Sequence, residues 1–130
     1  METLNINHNC EISKQILEKL VPKVWGQEIH LVTEEEYTVK IMELKPGHKC
    51  SFHLHKNKKE SFILLKGNLT VNFVNSKNAE LISVSLKEKF DTITLEPMTI
   101  HSFSCDEETL FIECSTKDEA SDSYRFTKSS

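Results

Sequence analysis

Residues 47–67 read GHKCSFHLHKNKKESFILLKG, and this stretch decides how the chain is interpreted. His53 and His55 are two positions apart, so on a β-strand both side chains project from the same face. The charged residues 56–59 are predicted to reverse the chain as a solvated loop. Glu60 opens the next apolar strand, where its carboxylate can return to the same point. Two imidazoles and one carboxylate are good ligands for a first-row divalent metal ion. The stretch therefore predicts a metal site between two neighbouring strands.

His101 is the natural fourth ligand, because it opens a further predicted strand over residues 101–105. Three imidazoles and one carboxylate would leave one or two coordination positions for water or substrate, as in a catalytic site. Burying several polar side chains together inside a small barrel would cost free energy unless a metal ion bound them. In contrast, His8, His30 and His48 each stand alone, and we interpret them as ordinary surface or core residues.

The remainder of the chain predicts an all-β domain. Its 130 residues suffice for one domain with a buried core. Eight or nine short segments, many alternating apolar and polar residues, are separated by turn residues, which is typical of a sandwich or barrel rather than a βαβ fold. The predicted strands cover residues 28–32, 38–44, 50–55, 61–65, 68–74, 81–86, 93–95, 101–105 and 109–114.

The domain divides into three parts. Residues 1–22 are predicted to form an N-terminal arm, residues 23–126 the barrel, and residues 127–130 a loose C-terminal tail. Within the arm, apolar residues at helical spacing predict a short amphipathic helix over residues 11–20, which Pro22 would end.

Composition excludes several classes of protein. Apolar residues make up 38% and charged residues 28%, which indicates a globular chain that is neither disordered nor embedded in a membrane. No apolar run could cross a bilayer and the N-terminus lacks a signal-peptide profile, so we expect a cytoplasmic protein without a membrane partner. The net charge of −4 argues against nucleic acid. The cysteines lack paired spacings and are expected to stay reduced, with Cys50, Cys105 and Cys114 as small buried residues.

The opening stretch resembles the first motif of the cupin superfamily, which is Gly, five residues, His-x-His, three or four residues, Glu, six residues and Gly. Every fixed position is matched, by Gly47, His53, His55, Glu60 and Gly67. The resemblance implies a double-stranded β-helix barrel, the cupin jelly roll. It also implies that the two motif histidines, the glutamate and a later histidine hold one divalent transition metal ion.

The second cupin motif is degraded in this chain. In register with the family, Phe90 stands in place of glycine and Met98 in place of a second glycine. Glu96 replaces a proline and Cys105 an asparagine. Only the histidine, His101, is kept.

Two flanking segments narrow the resemblance. Trp25-Gly26-x-Glu28 is similar to the entry strand of the cupin domain of type II mannose-6-phosphate isomerases and related sugar-handling cupins. Residues 112–125, ending in Asp122-x-x-Arg125, are similar to their closing segment. This implies a sugar or sugar-phosphate ligand, with Trp25 and Arg125 as candidate substrate-binding residues. The alternatives are strand-edge packing for Trp25, and for Arg125 a salt bridge to Asp122 or Glu113.

A zinc, manganese or nickel ion in this site would suit the isomerisation of an aldose phosphate to a ketose phosphate, in which a proton moves between C1 and C2. Lys40 or Glu43 could supply a polar group inside the barrel, and strand alternation does not decide between them. The phosphate would need a basic pocket, for which Arg125 with Lys49 or Lys66 is available.

Two other functions fit the same ligands. An iron-dependent dioxygenase or lyase acting on a small organic molecule would require iron. A non-catalytic module that binds a sugar or sugar nucleotide would be stabilised by its ligand without forming product. Small cupins commonly form homodimers, partly by exchanging N-terminal strands, and residues 1–22 are available for that exchange.

Overall fold

A computed structural model describes residues 3–7, 10–14 and 19–130. Within these ranges the chain forms thirteen β-strands and a short 3-10 helix, Ala120–Asp122. The strands are Thr3–Asn7 (β1), Cys10–Ser13 (β2), Leu20–Lys23 (β3), Gly26–Thr33 (β4), Thr38–Leu44 (β5), His53–His55 (β6), Glu60–Lys66 (β7), Leu69–Val74 (β8), Leu81–Leu86 (β9), Thr92–Leu95 (β10), His101–Ser104 (β11), Thr109–Ser115 (β12) and Ser123–Arg125 (β13).

The strands form two main antiparallel sheets. One sheet has six strands in the order β10-β7-β12-β5-β4-β3, and the other has five in the order β13-β6-β11-β8-β9. Strands β1 and β2 make a separate two-stranded sheet. The predicted all-β architecture is confirmed, and each predicted strand overlaps an observed one. Strands β3 and β13 were not expected, because β3 contains Pro22 and β13 has only three residues.

The core lies between the two main sheets and is centred on aromatic rings. Phe62 of β7 and Phe111 of β12 meet at 5.2 Å between ring centroids, and both contact Phe103 of the opposite sheet edge to face, at 5.8 and 5.3 Å. Such pairs add stability beyond the apolar area that they bury. His101 lies beside Phe62, 6.2 Å between ring centroids, so the predicted metal site adjoins the core.

The predicted N-terminal helix is wrong where the structure describes the chain. Residues Cys10–Ser13 form β2, with Ile12 opposite Leu4 of β1, and Leu20 already begins β3. Residues 15–18 of the prediction lie outside the described residues. A few apolar positions in a short window do not separate a helix from a strand, and so short a helix is marginal without packing. In the ranges described, no helix is long and apolar enough to cross a membrane.

The C-terminal residues 127–130 are hydrogen-bonded rather than loose. Ser130 exchanges two backbone hydrogen bonds with Lys49, at 2.8 and 3.0 Å. Hydroxyl groups of the same segment accept the backbone N–H groups of Ser51 and Phe52. These contacts satisfy the main chain that leads into β6, which would otherwise lack partners. The sequence-based prediction missed them because a short polar terminus carries no strand pattern.

Gly47 and Gly67 lie at the two ends of the stretch that carries His53, His55 and Glu60. Both have a backbone conformation that favours glycine. Their φ angles are +77° and +90°. At Gly67 a Cβ atom would also lie 2.5 Å from the carbonyl oxygen of Glu108. This position therefore excludes every other residue on two grounds, conformation and space.

Candidate metal centre

The structure brings the four predicted ligands together. His53 and His55 occupy the inward face of β6, Glu60 is the first residue of β7, and His101 is the first residue of β11. His101 lies directly opposite His53 in the pairing of β11 with β6. All four side chains are buried, and one potential ligand atom from each lies within 4.8 Å of the others. Strand alternation and the return of the chain at Glu60 produce the expected convergence.

Several buried polar atoms in this cluster lack hydrogen-bond partners. Oε1 of Glu60 and Nε2 of His101 are 2.7 Å apart, and Oε2 of Glu60 is 3.8 Å from Nε2 of His55. Within the described residues, neither Oε1 of Glu60 nor Nε2 of His101 completes a hydrogen bond, although both atoms are buried, and Oε2 of Glu60 forms an ion pair with the ammonium of Lys58 at 3.3 Å. Buried polar atoms are normally hydrogen-bonded, and leaving them without partners is costly. A cation at the centre would satisfy them, so these residues fit a bound metal ion.

Backbone carbonyls orient two of the imidazole rings. Nδ1 of His53 is 2.7 Å from the carbonyl oxygen of Ser51, and Nδ1 of His101 is 2.8 Å from that of Thr99. Because a carbonyl oxygen only accepts, each Nδ1 carries the hydrogen and donates it. In the neutral form of such a ring, Nε2 keeps a free lone pair for a metal ion. Metal-binding histidines are commonly oriented in this way.

Protonation states also suit metal binding. Burial lowers the pKa of His53 to about 3, with a contribution from His101, and burial together with Lys58 lowers the pKa of His55 to about 4. Burial alone would raise the pKa of Glu60, but the proximity of His101 and Lys58 outweighs it and lowers that pKa to about 2. At neutral pH these two imidazoles are neutral and the carboxylate is ionised. Those are the forms that bind metal.

The loop between His55 and Glu60 is fixed by Asp122, from the far end of the chain. One carboxylate oxygen of Asp122 accepts the backbone N–H of Lys56 at 2.9 Å, and the other accepts that of Lys58 at 3.1 Å. Asp122 is itself buried. The spacing of the ligands along the sequence is thus supported by a tertiary contact that no local pattern predicts.

A cavity of about 1050 Å³ adjoins the histidines and is lined by His53 and His55. Trp25 lines it and is also buried, with its ring 5.1 Å from that of Phe103 at a steep angle. Arg125 lines it as well, and its Nη1 donates to Oγ of Ser51 at 2.7 Å. Among the described residues Arg125 forms no ion pair, so the alternative of a salt bridge to Asp122 or Glu113 is wrong.

The basic residues that line the cavity beside Arg125 are not the ones that the sequence suggested. Lys49 and Lys66 are not part of the cavity lining, whereas Lys23 and Lys128 are. Lys49 is instead engaged through its backbone, with Ser130.

A network of buried charges occupies the same cavity wall. Lys40 lies 2.7 Å from Asp118 and 3.8 Å from Glu113. Lys58 lies 3.1 Å from Asp118, 3.4 Å from Glu113 and 3.3 Å from Glu60. Both lysine side chains are less than a tenth exposed. Buried ion pairs seldom add net stability, because desolvation offsets their attraction, so a network at a cavity wall is a candidate functional feature.

This network corrects one prediction and resolves another. The lysine-rich residues 56–59 were interpreted as a solvated loop, but the Lys58 side chain is only 4% exposed. Of the two alternatives on β5, Lys40 faces inward with Met42 and Leu44. Glu43 faces the other way and accepts a hydrogen bond from Gln27 at 2.6 Å.

Glu113 is the most unusual acid in the network. Burial raises its pKa to about 7, and the charge of Glu60 acts in the same direction, while Lys58 and Lys40 oppose it. The sequence did not identify Glu113 as an inward residue, because both faces of β12 carry apolar side chains. The same strand puts Cys114 on its outer face, where it is only half-buried, although Cys50 and Cys105 are buried as expected.

Comparison with known proteins agrees with this architecture. Residues 11–106 match the family "Mannose-6-phosphate isomerase C-terminal". No curated protein matches the chain in sequence. Among solved structures, the capsular polysaccharide assembling protein CapF from Staphylococcus aureus superposes with a TM-score of 0.75 at 18% identity, over 88% of this chain and 35% of CapF. Oxalate decarboxylase from Bacillus subtilis superposes with a TM-score of 0.71 at 21% identity, over 82% of this chain and 29% of the enzyme.

Both solved proteins are cupins, and the likeness to them shows the fold. The chain spans about a third of the length of each. The family match covers most of the chain and includes all four residues of the buried cluster. The chain therefore belongs to the cupins of the mannose-6-phosphate isomerase C-terminal family.

Proposed function

We propose that this protein is a metal-dependent isomerase acting on a sugar phosphate of the mannose 6-phosphate type. The observation that carries the proposal is a buried group of three histidines and one glutamate beside a cavity with an acid of raised pKa. The description of its family supports the same activity. When bound, a zinc, manganese or nickel ion would polarise the carbonyl and hydroxyl oxygens of the sugar and stabilise developing negative charge.

Glu113 is the residue to which we assign proton transfer. The ammonium groups of Lys58 and Lys40 both pair with its Oε2, and Glu113 lines the cavity, so we assign the proton transfer to Oε1. Oε1 takes the proton from C2 of the aldose and returns it to C1. Meanwhile the C2 hydroxyl loses a proton and the C1 carbonyl oxygen gains one, which completes the isomerisation. An acid whose pKa is about 7 is well matched to this role at neutral pH.

Arg125 is the residue to which we assign the phosphate group. Arg125 is an exposed residue that lines the cavity, and Lys23 and Lys128 line the same cavity. Guanidinium groups bind phosphate through paired hydrogen bonds. Trp25 would supply an apolar part of the wall against the sugar.

The test is to purify the protein without added metal, measure its metal content, and assay conversion of mannose 6-phosphate to fructose 6-phosphate. We expect close to one ion per chain and measurable turnover. Glu113→Gln should keep the ion but lose turnover about 100-fold or more. Glu43→Gln is the matched control, because Glu43 lies on the outer face of β5. A metal-loaded protein that forms no product from either sugar phosphate would contradict the assignment.

A non-catalytic module that binds a sugar or sugar nucleotide is a second candidate. It is supported by the occurrence of the same fold in a capsular polysaccharide assembling protein. It would be favoured by an increase in melting temperature on adding a sugar phosphate or sugar nucleotide, without product. Activity that depends on iron and oxygen would instead favour a dioxygenase or lyase.

We also propose that the protein is a homodimer in a reducing compartment such as the cytoplasm. The ribbon of β1 and β2 forms a sheet of its own, and an isolated two-stranded sheet is marginally stable in water. Cys50, Cys105 and Cys114 are free thiols, which reducing compartments preserve. Light scattering tests the dimer, and a monomer at micromolar concentration would refute it.

A further inference from the structure

Lys58 is the one residue of the ion network that contacts a member of the metal centre in the described part of the chain. Its Nζ lies 3.3 Å from Oε2 of Glu60, 3.4 Å from Glu113 and 3.1 Å from Asp118. It is a buried lysine in a run that also contains the exposed Lys56 and Lys59. Burying a long charged side chain costs both desolvation and rotamer entropy, so its place beside Glu60 calls for an explanation.

The two oxygens of Glu60 have different surroundings. Oε1 is 2.7 Å from Nε2 of His101, whereas Oε2 lies farther, at 3.8 Å, from Nε2 of His55. Oε2 is 3.3 Å from the ammonium of Lys58. An ion pair on one oxygen restrains the carboxylate plane and lowers the negative charge available at that oxygen. The remaining oxygen is then the better ligand.

The position of Lys58 is itself fixed from two directions. Its backbone N–H donates to Asp122 at 3.1 Å, and its ammonium donates to Asp118 at 3.1 Å. Side chain and main chain are therefore both held by the segment between β12 and β13. A cation held in this way can orient Glu60, rather than being oriented by it.

We propose that Lys58 is a positioning residue that holds Oε2 of Glu60, so that Glu60 binds the metal ion through Oε1 alone. The inference rests on the metal binding that is part of the proposed function. It adds how Glu60 binds the ion and identifies Lys58 as a residue that sets metal affinity. Groups that orient metal ligands in this way are commonly worth 10- to 100-fold in affinity.

The test compares the wild type with Lys58→Met, using Lys59→Met as the matched control. Lys59 is the next residue, and its side chain is half-exposed in an ion pair with Glu96. Zinc affinity is measured by competition with a chelator, and the coordination of Co²⁺ is followed by its visible absorption bands. We expect Lys58→Met to weaken zinc binding about tenfold or more and to shift the cobalt bands. Lys59→Met should change neither quantity.

Folding of Lys58→Met could be impaired, because Glu113 would lose one of its two cations. The variant Lys58→Met/Glu113→Gln avoids this loss and is compared with Glu113→Gln alone. A shift of the cobalt bands between these two variants supports the proposal. Unchanged bands and affinity, or tighter zinc binding without Lys58, would overturn it. A wild type that binds neither zinc nor Co²⁺ would instead refute the metal site of the proposed function.

Discussion

The carboxylate of Asp122 accepts a hydrogen bond from the backbone N–H of Lys58, 64 residues earlier in the chain, at 3.1 Å. It also accepts the N–H groups of Lys56 and Asn57. Three successive N–H groups on one buried carboxylate define the shape of the loop that separates His55 from Glu60. The C-terminal segment thus determines how the first motif presents its ligands.

Asp122→Ala should lower both stability and metal affinity. Loss of hydrogen bonds to a buried charged acceptor should reduce the free energy of unfolding by about 2–4 kcal/mol, measured by urea denaturation. Zinc affinity should fall as well, because the loop between two ligands is released. Asp91→Ala is the control, since Asp91 accepts the N–H groups of Lys87 and Glu88 in another turn. The control should bind zinc normally. Wild-type zinc affinity in folded Asp122→Ala would contradict this account.

His53→Ala and His55→Ala should each abolish stoichiometric metal binding, because each removes one of the convergent ligands. Elemental analysis should find close to one ion per chain in the wild type and almost none in either variant. At zinc concentrations 100 times its dissociation constant, the wild type should gain about 2.7 kcal/mol of stability, and the variants should gain none. His48→Ala serves as the control that retains the ion.

Glu113 should make the stability of the metal-free protein fall as pH rises from 4.5 to 7. Burial raises its pKa from 4.5 to about 7, so in this range the unfolded chain has released the proton and the folded chain still holds it. Glu113→Gln cannot titrate. The free energy of unfolding of wild type minus that of Glu113→Gln should therefore decrease across this range, as measured by urea denaturation at each pH. An increase with pH would have the wrong sign for this explanation.

Gly67→Ala should destabilise the protein far more than Gly47→Ala. Both positions have positive φ, but only at Gly67 would the new Cβ approach neighbouring backbone, at 2.5 Å from a carbonyl oxygen. We expect a loss of about 1 kcal/mol at Gly47 and about 3 kcal/mol or more at Gly67, from thermal and urea denaturation. Equal losses would show that space around Gly67 is not the determining factor.

The sequence predicted those parts of the site that depend on local geometry. His53 and His55 share a face because strands alternate, and that rule needs only the strand itself. Glu60 was predicted to join them because only the short loop 56–59 separates it from His55. His101 was predicted from its place at the start of a strand, and its pairing opposite His53 agrees with that.

Residues of the ion network could not be predicted in the same way. Lys58 lies in a run of lysines that looks solvated, and its burial depends on Asp118 and Asp122, more than fifty residues away. Glu113 lies on a strand with apolar residues on both faces, so alternation did not show which face points inward. The N-terminal helix failed for a related reason, since pairing of β2 with β1 decided the structure of residues whose own pattern was ambiguous.

The four ligands come from both main sheets of the barrel. His53, His55 and His101 belong to the five-stranded sheet, whereas Glu60 begins a strand of the six-stranded sheet. Neither sheet alone contains the full set, and His101 enters only after most of the barrel strands have been made. Until β11 is in place, the chain therefore offers at most His53, His55 and Glu60. A bound ion would link the two sheets, so hydrogen exchange that requires the sheets to separate should slow when metal is bound.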